Sequence, residues 1–137
     1  MQKDNLYETN KIRVFTGTYI DPLNPQLEDI HIEDIAHGLS MQCRFGGHTK
    51  VFYSVAQHCV EVAMQLPDEL RLAALLHDAS EAYLLDIPRP VKGRLTNYKT
   101  IEKKLMSVIA KRFGFDNWDR PEIKEIDTKS LLSIWNV

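Results

Sequence analysis

Residues 73–92 read AALLHDASEAYLLDIPRPVK. The run begins as an apolar helix face. It then sets an imidazole and three carboxylates, His77, Asp78, Glu81 and Asp86, on the side that a helical period turns inward. Two other places break the apolar pattern in the same way. His58 falls in the stripe of Val51, Val55, Val62 and Leu66, and Asp127 lies between Ile123 and Ile134 on one helical face. A carboxylate taken out of water is costly unless it is paired or bound to a metal. His58, His77, Asp78 and Asp127 therefore have one shared explanation, a divalent first-row ion that keeps open positions if it is six-coordinate. Each residue taken singly also reads as a hydrogen-bonded core histidine or a structural His–Asp pair. Spacing alone leaves the two readings evenly balanced.

The elements that must position these residues are mostly helices. The period predicts a helix from about Val51 to Leu66, which carries His58. A second is predicted from Pro67–Asp68 to about Asp86, with Leu70, Ala74, His77, Glu81 and Leu84 on one stripe. Prolines 88 and 90 end it. A third runs over Tyr98–Phe113 and stops at Gly114. Pro121 opens a fourth at a first-turn position, burying Ile123, Ile126, Ser130, Leu131 and Ile134. Upstream, Ile32, Ile35, Ala36 and Leu39 mark one side of a short helix. The β-branched and aromatic run KIRVFTGTYI, interrupted by Gly17, predicts a strand or small hairpin. DPLNPQLED and MQCRFGGHTK read as loops. Trp118 and Trp135 read as packing residues, and His31 and His37 as structural or exposed. The fold class is mainly α.

A chain of 137 residues with 44% hydrophobic and 26% charged content is most simply one globular domain. The formal net charge of -2 argues against a duplex nucleic-acid binder. Cys43 and Cys59 stand apart without a CxxC pair, which suggests a reducing compartment and no zinc knuckle. The polar start and the lack of a long apolar run predict a cytoplasmic protein with no membrane span.

His58, His77–Asp78 and Asp127 match the H…HD…D signature of the HD phosphohydrolase superfamily. HDASEAYLLDIPRPVK resembles the segment after the HD pair in its bacterial 5'-deoxynucleotidases, SVAQH resembles the helix that supplies the first histidine, and IEDIAHGLSMQCRFGGHTKVFYSVAQH resembles small phage and prophage HD proteins. The resemblance covers roughly residues 30–131. It implies an HD-type helical domain over residues 30–137, preceded by an N-terminal strand-and-loop extension over 1–29. It makes His58, His77, Asp78 and Asp127 the ligands of one divalent transition metal, Mn, Co, Fe, Ni or Zn. No histidine follows His77 to hold a second ion.

The resemblance further implies a nucleoside 5'-monophosphate substrate, cleaved to nucleoside and orthophosphate. Glu81 lies three and four residues after the HD pair and shares its face on an unbroken helix. It is the expected catalytic proton relay beside Asp78. Arg44 would hold the phosphate, with His48 as a second candidate that serves equally well as a helix cap. Asp86 would contact the sugar. Phe45 stands where those enzymes have a Trp, so selection for deoxyribose is expected to be weaker. Arg89, Lys92 and Arg94 form a basic edge that either steers the substrate or is plain surface. The short stretch after Asp127 and the resemblance together suggest a homodimer. Two other functions stay open, a nucleoside triphosphate or pyrophosphate hydrolase on the same metal, and a non-catalytic metal-containing binding module.

Overall fold

The computed structural model describes residues 9–135, with side chains through residue 130. The architecture is mainly α, as expected, with one small hairpin. Strands β1 (Ile12–Arg13) and β2 (Tyr19–Ile20) pair antiparallel, Ile12 opposite Ile20. Gly17 takes φ 91 in their turn, where a side chain would be strained. The hairpin is fastened to helix α1 (Ile32–Ser40) by a buried carboxylate. Asp34 accepts from the Thr16 backbone N–H at 2.7 Å and from the Thr16 hydroxyl at 3.0 Å.

That contact corrects the expected face of α1. The helix buries Asp34, Ile35 and Leu39, whereas Ile32 and Ala36 are exposed. The rotation also brings Gly38 against Ala82. A Cβ on Gly38 would stand 3.3 Å from the Ala82 Cβ, so the glycine is what allows this close approach.

Helix α2 (Val55–Met64) starts later than its apolar period suggests. Ser54 caps it, its hydroxyl accepting from the Gln57 N–H at 3.0 Å. Val51 is exposed and lies outside the helix. The chain before the cap is instead tied to the preceding loop, through Arg44 N–H to the Tyr53 carbonyl at 2.7 Å and Val55 N–H to the Gln42 carbonyl at 3.0 Å.

The largest correction concerns residues 67–86. The single long helix is in fact two, α3 (Asp68–Leu75) and α4 (Glu81–Leu84), joined by tight turns. At the break, backbone hydrogen bonds tighten to i→i+3: His77 to Ala74, Ala79 to Leu76 and Glu81 to Asp78. The His77 ring also competes for the Ala74 carbonyl. His77 and Asp78 therefore sit in the break and not on a helix. Leu85 then ends α4 at φ 73, an unfavourable conformation for a branched side chain.

The prolines hide another helix. Helix α5 (Arg89–Lys92) begins directly after Pro88 and carries Pro90 in its first turn, where a missing N–H costs nothing. Helix α6 (Tyr98–Phe113) has the expected bounds. Gly114 stops it at φ 79, and the Ala110 carbonyl accepts from the N–H groups of Gly114 and Phe115. Helix α7 (Pro121–Trp135) opens with its proline, as expected.

One apolar core joins Ile20, Ile30, Ile35, Val55, Leu105 and Ile109, all essentially inaccessible. A second, between α2, α3 and α7, joins Val62, Leu70, Ala74 and Ile123. Trp118 packs edge-on to Phe115 against the first core, and Phe115 reaches both. Ile126 is half-buried there. The expected packing of Leu131, Ile134 and Trp135 lies outside the described side chains, and residues 1–8 of the N-terminal stretch lie outside the described residues. Among the described residues no helix is long and apolar enough to cross a membrane.

Candidate metal centre and adjoining cleft

His58, His77, Asp78 and Asp127 come together from α2, the α3–α4 break and α7. One ligand atom from each lies within 4.8 Å of all the others. Packing of α2 against α3 and α7 around the second core is what brings the three segments into register. His58 is fully buried, and Asp78 and Asp127 each keep about a fifth of their side-chain exposure.

The atoms aim at a common point. His77 Nε2 stands 3.3 Å from Asp78 Oδ2 and 3.6 Å from Asp127 Oδ1, and His58 Nε2 stands 3.7 Å from Asp78 Oδ2. Ligands about 2.0–2.2 Å from one ion stand roughly 3–4.4 Å from each other. Three of these separations already fall in that range. The exception is His58 Nε2 to Asp127 Oδ1, a hydrogen bond of 2.5 Å that has to open by about half an ångström or more to admit an ion.

Protonation also fits a metal. A carbonyl can only accept, so His77 Nδ1–H donates to Ala74, and in the neutral ring Nε2 carries the lone pair. That Nε2 is buried and has no hydrogen-bond partner among the described residues. His58 Nδ1 lies 3.3 Å from the Ser130 hydroxyl, which can fix its ring in the same sense. Without an ion, burial opposes charge on His77, but the Asp78 and Asp127 carboxylates outweigh it and push its pKa up to about 9. Burial likewise opposes charge on Asp127, and the two histidines more than compensate, holding its carboxyl far below the usual range. The donor set of two imidazoles and two carboxylates suits Mn, Fe, Co, Ni or Zn.

Asp78 and Asp127 open into a cleft of about 510 Å³. Its walls bring in every other residue singled out in the sequence for substrate or proton chemistry, namely Arg44, Phe45, His48, Glu81 and Asp86. Glu81 is 6% exposed. Burial, with the neighbouring Asp78 and Asp86 carboxylates adding to it, pushes its pKa up to about 11, so it carries a proton in the metal-free protein. Burial also raises Asp86. Arg44 lies over the Phe45 ring, 4.6 Å from its centroid. Its Nη1 is buried and lacks a hydrogen-bond partner among the described residues. Phe45 and Gly46 both take positive φ, 56 and 62, which bends the loop around the cleft.

Two of the three basic residues after Asp86 also line the cleft, and Arg94 does not. Arg89 Nη2 lies 3.6 Å from Asp127 Oδ2, the oxygen turned away from the histidines. Lys92 pairs with Glu102 at 3.3 Å and lies over the Tyr98 ring. His31 is half-buried, and His37 is exposed and stacks on Phe15, both away from the cleft. Gln42 was missed in the sequence. It is a neutral residue in an irregular loop, yet its side-chain amide bonds to both ends of the segment that carries Glu81 and Asp86.

No family model matches the chain. It is similar to YfdR, an uncharacterized protein of Escherichia coli K12, with 48% identity over 105 residues covering 75% of this chain and 58% of that protein. It is also similar to an uncharacterized protein of Rhodobacter capsulatus, with 41% identity over 112 residues covering 74% of this chain and 57% of that protein. The chain thus spans somewhat over half the length of the curated relatives it matches.

Proposed function

We propose that the protein is a metal-dependent phosphohydrolase of the HD superfamily, acting on nucleoside 5'-monophosphates. The observation that carries this reading is the Arg44 guanidinium. It lines the same cleft as Asp78 and Asp127, and one of its nitrogens is buried with no hydrogen-bond partner among the described residues. A guanidinium on the wall of a cleft beside a metal centre suits a phosphate or carboxylate oxygen.

His58, His77, Asp78 and Asp127 would hold the ion. When bound, it would acidify a coordinated water and neutralise charge on the phosphoryl oxygens. The chain's own residues supply the rest. Arg44 orients the phosphate. Glu81, buried beside Asp78 on the cleft wall, is placed to give a proton to the departing 5'-oxygen and to take one from the attacking water. Asp86 shares the cleft and can accept hydrogen bonds from a sugar hydroxyl. Phe45, Ile87, Pro88 and Pro90 offer apolar surface for the nucleoside.

A second reading has one observation in its favour. Arg89 and Lys92 add cations to the cleft that a single phosphate does not need, and they fit cleavage of a nucleoside triphosphate. Product analysis separates the two. Protein loaded with each divalent metal in turn is incubated with dAMP, AMP and dATP. Orthophosphate released from the monophosphates supports the first reading. Pyrophosphate or tripolyphosphate from dATP, with the monophosphates untouched, replaces it with the second.

A further inference from the structure

Gln42 has no charge, no periodic place and no nucleophilic atom, yet its side chain makes three hydrogen bonds. Its Nε2 donates to the Glu81 carbonyl at 2.8 Å and to the Gly38 carbonyl at 3.3 Å. Its Oε1 accepts from the Asp86 N–H at 3.2 Å. Its backbone carbonyl accepts from Val55 N–H, the first residue of α2. One half-buried residue thus ties together the end of α1, the start of the helix that carries His58, and both ends of the 81–86 segment.

That segment needs such a tie. Helix α4 is a single turn, too short to hold itself. It ends at Leu85, whose positive φ aims the following residue and persists only if its surroundings enforce it. The Asp86 N–H directly after this residue would have no helical partner, and the Gln42 Oε1 supplies one. On the other side, Gly38 lets α1 lie against Ala82 at van der Waals contact, which keeps Gln42 within reach of both ends.

We infer that Gln42 is the positioning residue for Glu81 and Asp86, fixing how the proton donor and the neighbouring sugar-facing carboxylate are set on the cleft wall. The inference rests on the functional reading above for what those two carboxylates do. It stands on geometry alone for what holds them. Gln42 is not among the residues that line the cleft, and its side-chain hydrogen bonds go to backbone atoms, so it acts through the backbone of the segment it spans.

The test combines hydrogen exchange with a double-mutant cycle. In the wild type, the Asp86 amide should exchange slowly, and in Gln42→Met, which keeps the side-chain length, it should exchange at least about tenfold faster. In the metal-loaded enzyme, Gln42→Met should lower kcat on a nucleoside monophosphate about ten- to a hundredfold, the usual consequence of a displaced catalytic group. In a Glu81→Gln background the same change should cost less than about twofold in kcat, because the proton donor is already gone and a displaced Asp86 acts on KM. An equal loss in both backgrounds would show a general structural role and overturn the inference. So would an Asp86 amide that exchanges fast in the wild type, which can be read even if Gln42→Met does not fold. If the wild type releases no phosphate from monophosphates while Asp86 exchange depends on Gln42, the functional reading fails and the tie stands.

Discussion

His77 is held by Ala74, three residues earlier, whose carbonyl accepts from the imidazole Nδ1–H at 2.5 Å. This one contact does two things. It takes up a carbonyl that an unbroken helix would use, so α3 stops and the HD pair lies in a turn. It also fixes the tautomer, so that in the neutral ring the Nε2 lone pair is buried among carboxylates.

The first prediction is one tightly held divalent ion per chain. Asp127→Ala should lose the ion and lower the thermal midpoint together, since the energy of ligation is also folding energy. Elemental analysis and thermal melts check both. Two ions per active chain, or a stable Asp127→Ala protein with full metal content, would contradict the assignment.

Metal binding should compete with protons at His77. In the metal-free protein its pKa of about 9 lies above the ordinary 6.5. The charged ring therefore stabilises the metal-free fold below pH 6.5, and that contribution is lost as pH rises through about 9. An ion needs the neutral ring, so each pH unit between those values should tighten metal binding about tenfold, with proton release. Calorimetry in buffers of different ionisation enthalpy reads both effects, and an affinity that is flat across the range would refute this.

Glu81→Gln should keep the metal and lose about 10²- to 10⁴-fold in turnover. Glu81 is no metal ligand in this account, so its metal content should match the wild type. Near-normal turnover at saturating metal would place the proton donor elsewhere.

Arg44→Gln should weaken the binding of inorganic phosphate to the metal-loaded protein, by about tenfold or more for a lost charge-assisted pair. Arg89→Gln should change it less, because Arg89 is two-thirds exposed and already faces Asp127. Titration of both variants with phosphate gives the order, and the reverse order would make Arg89 the principal anion contact.

His58, His77, Asp78 and Asp127 stand out in the sequence because each interrupts an apolar stripe, but spacing alone leaves a shared metal and separate structural pairs evenly balanced, and it is the family resemblance that groups the four as one ligand set. The sequence did not reveal the break at Leu76. The apolar period continues through it, and the competing hydrogen bond comes from a side chain whose rotamer no pattern reports. Helix α5 stayed hidden because Pro88 and Pro90 read as breakers, although a proline fits a first turn as well as a loop. Glu81 was placed by its spacing on an unbroken helix. The helix is broken, and Glu81 still lines the cleft because α4 restarts at that residue. Gln42 gave no signal, since a neutral amide in a loop has neither period nor charge.

In the proposed function the His–Asp cluster drives phosphate release in the adjoining cleft. The most direct measurement is orthophosphate release from dAMP by three samples: metal-loaded wild type, the same protein stripped by chelator, and metal-treated Asp78→Ala. Turnover is expected in the first, none above background in the second with recovery on adding metal back, and none in the third. Equal release by the stripped protein or by Asp78→Ala would contradict the proposed function, and so would a metal-loaded wild type that leaves the phosphate in place.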